Sequence, residues 1–91
     1  MKPRNGVLLR LFFGRQLGEE ACRQLVADTR ARAEAQLAEL RHTRAELQGD
    51  NGPDAPYILL TVLAGEHSAR ASLAWADEAL QLLDTLPAAT R

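Results

Sequence analysis

Few residues in this chain could do chemistry: one thiol, Cys22, two imidazoles, His42 and His67, one indole, Trp75, and acids and bases spread along the rest. An indole stacks on flat aromatic ligands and donates one hydrogen bond, so Trp75 can line an effector pocket. The plainer reading is a packed anchor, because a Trp on a helix with two apolar sides meets protein first. His67, two residues after Gly65 and ten before Asp77, is the second candidate ligand contact, as a pH-sensitive group. Its plainer reading is a residue at the solvent edge of a helix. Arg41, His42 and Arg44 form a basic-capable cluster that can touch phosphate or an acidic partner, but Glu39 and Glu46 stand close by and favour a solvated face. Cys22 falls on an apolar stripe and reads as a core thiol; a redox role would need an activated thiolate, for which Arg23 alone is thin ground. Asp50 and Asp54 flank a turn, where capping accounts for both.

No constellation supports catalysis. Paired metal-ligand spacings, a Gly-rich phosphate loop and a nucleophile with a nearby base are all missing from the sequence, so neither an enzyme nor a cofactor is expected. The lone cysteine excludes an intrachain disulfide, and one Cys with two His makes no zinc-finger set.

The residues that remain describe helices. With 16 Ala and 16 Leu in 91 residues, 4 Pro and 4% aromatics, the composition is that of an all-α chain. Asn5 is placed to cap a short helix over about residues 6–13, in which Leu8, Leu9, Phe12 and Phe13 can share a face, with Gly14 to end it. A second helix is predicted over 19–48. Glu19 and Glu20 suit its first turn, Cys22, Leu25, Val26, Ala33, Leu37, Leu40 and Leu47 form its apolar stripe, and Glu19/Arg23 and Asp28/Arg32 stand four apart. Gly49-Asp50-Asn51-Gly52-Pro53 is a turn, Asp54 the next N-cap, and a third helix follows over 54–86 until Pro87 stops it. Two long helices joined by a short loop make an antiparallel hairpin, and the whole chain, 1–91, is one helical domain.

The third helix has more apolar surface than one partner covers. Leu59, Val62, Ala69, Leu73, Ala76, Leu80 and Leu83 recur every three or four residues with Glu66 as the gap, and Leu60, Ala64, Ala71, Trp75, Ala79, Leu82 and Leu86 form a second stripe. A helix that is apolar on two sides packs twice. The second helix takes one side; the short first helix and another protomer are expected on the other, so the fold is expected to be dimeric. Inside the helix, Gly65 costs about 1 kcal/mol relative to Ala, which points to a close approach by another backbone or ring, with a hinge or ligand notch as the other reading.

The formal charge of −1 and pI near 6.1 leave no electrostatic footprint for nucleic acid. The longest apolar stretch, Tyr57 to Gly65, falls far short of the ~20 residues of a membrane span. With one thiol and no export signal, the expected home is the cytoplasm.

Leu8-Leu9-Arg10-Leu11-Phe12-Phe13-Gly14, the long Arg/Glu/Ala/Leu helix, Leu60-Thr61-Val62-Leu63-Ala64-Gly65-Glu66 and Ala69 to Leu80 with Trp75-Ala76-Asp77-Glu78-Ala79-Leu80 occur in a familiar order. From Leu8 to about Leu83 the chain resembles the C-terminal domain of PadR-like transcriptional regulators, in the subfamily of the AphA-type virulence activators. The resemblance implies a regulator in which a winged helix-turn-helix reads DNA while a helical C-terminal domain dimerises and, in some members, senses a small molecule. Phe12 and Phe13 match the family's docking segment, Gly65 its mid-helix glycine, and Trp75, Asp77 and Leu80 its last-helix signature; Ala76 replaces a bulkier aliphatic residue, and Gly18 stands where a capping hydroxyl is common.

The implied function is therefore that of a dimerisation and effector domain without its own DNA-binding part, and no direct DNA binding is expected of this chain. Leu73, Trp75, Ala76, Leu80 and Leu83 would form the homodimer interface. Leu9, Phe12 and Phe13 would dock on the hairpin. A small aromatic effector would meet Trp75 and His67. The alternative is a stand-alone helical interaction protein that pairs with a full-length PadR-like regulator and withholds one DNA-binding arm.

Overall fold

The computed structural model describes residues 3–86, which fold into four helices and no strand. Helix α1 spans Pro3–Phe12, α2 Gly14–Leu17, α3 Glu19–Gln48 and α4 Ala55–Asp84. The two long helices, each about 45 Å at 1.5 Å per residue, lie against each other. They give the molecule extents of 61 × 24 × 13 Å. Arg23 meets Asp84, Arg30 meets Asp77 and Arg44 meets Glu66, so rising numbers on α3 pair with falling numbers on α4 and the hairpin is antiparallel.

The seam follows the sequence stripes. On α3, Cys22, Val26, Ala33 and Leu37 are buried; on α4, Ala55, Val62, Glu66, Ala69 and Ala76 are. With the half-buried Leu59 and Leu73 added, the α4 positions recur in alternating steps of four and three, the spacing that keeps one seam facing a partner helix. Ala33, Ala69 and Ala76 are the small residues of that seam. At Gly65 the close neighbour is an aliphatic side chain rather than a backbone or ring: a Cβ there would sit 2.9 Å from Leu40 Cδ1, so Leu40 of α3 occupies the space that a side chain would need.

The entry to the hairpin differs from the sequence expectation. α1 starts at Pro3, upstream of Asn5, a position where the missing N–H of proline is tolerated. Gly14 does not close α1 but opens the single turn of α2, the break falling at Phe13. What requires glycine at 14 is packing, since a Cβ would lie 2.9 Å from Cys22 Sγ, and that buried thiol donates to the Gly14 carbonyl at 3.6 Å. Gly18, between α2 and α3, adopts φ +101° and ψ 151°, a region open essentially to glycine alone. No atom lies within 4 Å of a Cβ built there, so the backbone alone sets the residue. Gly18→Ala is expected to lower stability by about 1–3 kcal/mol in urea titrations; an unchanged midpoint would mean that the α2–α3 corner relaxes freely.

Asp54 precedes α4, yet its side chain makes no capping hydrogen bond; its carbonyl accepts from Tyr57 and Ile58 instead. At the other end α4 stops at Asp84, where Thr85 Oγ1 donates to the Leu82 carbonyl at 2.7 Å. Pro87, the expected stop, lies outside the described residues.

Candidate functional site

Two features stand out beyond the apolar seam: a buried charge cluster between the long helices, and exposed apolar side chains on α1 and α2 and along α4.

The cluster centres on Glu66, fully buried although it occupies a core position of the α4 stripe. Arg44 Nη1 of α3 donates to its Oε1 at 2.9 Å, and Arg70 Nη2, one turn along α4, donates to the same oxygen at 3.1 Å. Oε2 is buried without a hydrogen-bond partner in the protein. A lone carboxylate in that position would be prohibitively costly, and the two guanidiniums are what make it tenable. Sequence reasoning read Glu66 as a gap in the stripe. The signal was present: Glu66 falls four after Val62 and three before Ala69, and Arg44 falls four after Leu40 and three before Leu47, so both occupy seam positions.

Other ion pairs line the seam's edges. Arg23 donates to Asp84 at 2.7 Å and to Glu19 at 3.0 Å; Arg30 donates to Asp77 at 2.6 Å and lies 3.5 Å from Glu34. Hydrogen bonding to Asp84 and Asp77 respectively raises the pKa of each guanidinium above its already high ordinary value. Asp28 accepts from Gln24 rather than from Arg32, and His42 lies 3.3 Å from Glu46 on an exposed face. Asp77, from the Trp-x-Asp-Glu-Ala-Leu run, thus tethers α4 to α3.

The apolar surface begins on α1. Val7 of that helix is buried, whereas Leu9 is 63%, Phe12 80% and Phe13 54% exposed. The three side chains expected to dock on the hairpin stay exposed within the chain: α1 reaches the hairpin at α3 and not at α4. The two rings instead stack edge to face, centroids 5.1 Å apart. Leu9, Arg10, Phe13, Gln16 and Leu17 line an open apolar depression of about 420 Å³.

On α4 the first stripe is engaged by α3, with Leu73, Leu80 and Leu83 half-buried and Ala76 sealed completely. Ala76 is therefore withdrawn from the set expected between protomers: with no surface left, it belongs to the seam inside the chain. The second stripe stays uncovered, with Leu60, Ala64, Ala71, Leu82 and Leu86 exposed and Trp75 and Ala79 half-buried. His67 is exposed as well. It lies eight residues from Trp75, about 12 Å along the axis. Neither lines the depression at α1 and α2.

No helix among the described residues is long and apolar enough to cross a membrane. No curated protein and no solved structure matches the chain. A family model described as the C-terminal part of virulence activator alpha matches residues 3–84, taking in the short N-terminal helix, the whole hairpin and the Trp75 segment. An alignment of that extent, laid over this arrangement of helices, settles the family: the chain belongs to the virulence activator alpha C-terminal family.

Proposed function

We infer that the chain is the dimerisation and effector-sensing domain of a PadR-like transcriptional regulator, working through protein contacts rather than catalysis. The observation that carries this reading is the uncovered apolar surface. Ten large apolar side chains remain exposed among the described residues, among them Leu8, Leu9, Phe12, Phe13 and Leu17 around α1 and α2 and Leu60, Leu82 and Leu86 on α4. Burying one such side chain is worth roughly 1.5–3 kcal/mol, and large apolar side chains left exposed in this number mark an interaction site. A second copy supplies the same surface in return, and a two-fold pair is the commonest way for such a face to be covered.

The interface so proposed joins Leu9, Phe12 and Phe13 to the α4 stripe around Trp75, with the half-buried Leu73, Leu80 and Leu83 at its margin. Trp75 on that stripe gives a planar aromatic effector a ring to stack on. Light scattering after size exclusion at micromolar concentration is expected to return twice the chain mass. The same sample's fluorescence, which comes from the single Trp, is expected to change on adding planar aromatic compounds. A folded monomer would overturn the dimer, and an unresponsive indole across a broad panel would overturn the sensing.

A further inference from the structure

The ratio of acids to bases inverts along the hairpin. Arg23 lies against two carboxylates, Glu19 at 3.0 Å and Asp84 at 2.7 Å, and Arg30 against two more, Asp77 at 2.6 Å and Glu34 at 3.5 Å. At Glu66 one carboxylate serves two guanidiniums, and both engage the same oxygen. Glu66 is fully buried, while the side chains of Arg44 and Arg70 are 42% and 44% exposed. The cluster thus turns its negative charge inward and presents an uncompensated positive charge outward.

The geometry of that excess charge is specific. A guanidinium carries five N–H donors in a rigid plane, and Glu66 engages one nitrogen of each. Each guanidinium keeps further N–H groups that Glu66 does not engage. Most surface arginines lose side-chain freedom when they grip an anion, which weakens them as binders. Here the buried carboxylate has already ordered both side chains and brought them together. Two charge-bearing forks held side by side match the oxygens of a carboxylate or phosphate group.

We propose that Arg44 and Arg70, fixed in place by the buried Glu66, form a binding site for a small oxyanion, a carboxylate or a phosphate group. Glu66 is the positioning residue; the two arginines touch the ligand. The site lies within one chain and does not require the dimer, so it stands or falls separately from the proposed function.

The test is NMR of the arginine Nε–H groups in the intact chain, titrated with inorganic phosphate or acetate against sodium chloride at matched ionic strength. Arg44 and Arg70 are expected to shift and saturate at millimolar anion, while Arg23 and Arg30, whose forks are taken by carboxylates, stay in place. Saturation by phosphate alone assigns a phosphate group; saturation by both assigns oxyanions in general. Arg70→Gln keeps the Arg44–Glu66 pair and the fold but removes one fork, and is expected to weaken phosphate binding by about tenfold. Shifts that never saturate, equal shifts at Arg23 and Arg30, or undiminished affinity in Arg70→Gln would each overturn the proposal.

Discussion

Exchanging Arg44 and Arg70 together for Met is expected to destabilise the hairpin by about 3–5 kcal/mol, whereas Glu66→Leu is expected to cost less than about 1 kcal/mol or to stabilise it. The asymmetry follows from where the charge sits. Glu66 has no access to water, so without both guanidiniums its carboxylate is a buried charge with no compensation. The arginines are half-exposed, and once Glu66 is gone they turn outward and hydrate. Glu66→Leu also removes Oε2, a buried acceptor without a partner that already costs the native fold about 1–3 kcal/mol. Small domains have only about 5–15 kcal/mol in total, so the double substitution would consume much of the margin and would be plain in a urea titration. Equal losses in the two variants would show that Glu66 stabilises through packing rather than through its charge. If Glu66→Leu proves stabilising, this hairpin carries a buried charge that stability does not need, and a role in register or binding becomes the reason for it.

That cluster also marks where sequence reasoning stops. Each long helix and its stripe was legible, because apolar residues every three or four positions need only one helix to be recognised. The turn from Gly49 to Pro53 announced itself by residue type. Which α3 residue faces which α4 residue was not legible, because the register between two helices is set by all of the seam contacts at once. Glu66 therefore read as a flaw in the stripe until Arg44 was placed opposite it. The i,i+4 pair Glu19–Arg23 could be read locally and is present, whereas Asp28 is claimed by Gln24, a competition that spacing alone does not resolve. The path of α1 failed for a related reason. It depends on the positive φ of Gly18 and the close contact of Gly14 with Cys22, both of which follow from three-dimensional placement rather than from periodicity. Two adjacent phenylalanines in an amphipathic segment suggest docking, but the direction of docking is decided at those two glycines.

The same two rings supply the sharpest test of pairing. In a monomer, truncating a ring that is 80% exposed, as Phe12 is, changes stability by no more than about 0.5 kcal/mol. In a two-fold dimer that buries the α1 face, each lost ring forfeits roughly 1.5–3 kcal/mol, and every substitution acts twice because both copies carry it. Phe12→Ala with Phe13→Ala is accordingly expected to raise the dimer dissociation constant by about ten-thousandfold or more, with helical content unchanged. Trp75→Ala discriminates less well, since that indole is half-buried and its loss weakens the isolated chain too. Light scattering on serial dilutions, with circular dichroism on the same samples, separates the cases. A variant that stays as dimeric as the parent chain would remove α1 from the interface and leave the α4 stripe to pair alone, while a variant that loses helix would show that the rings support the hairpin in a way their exposure conceals.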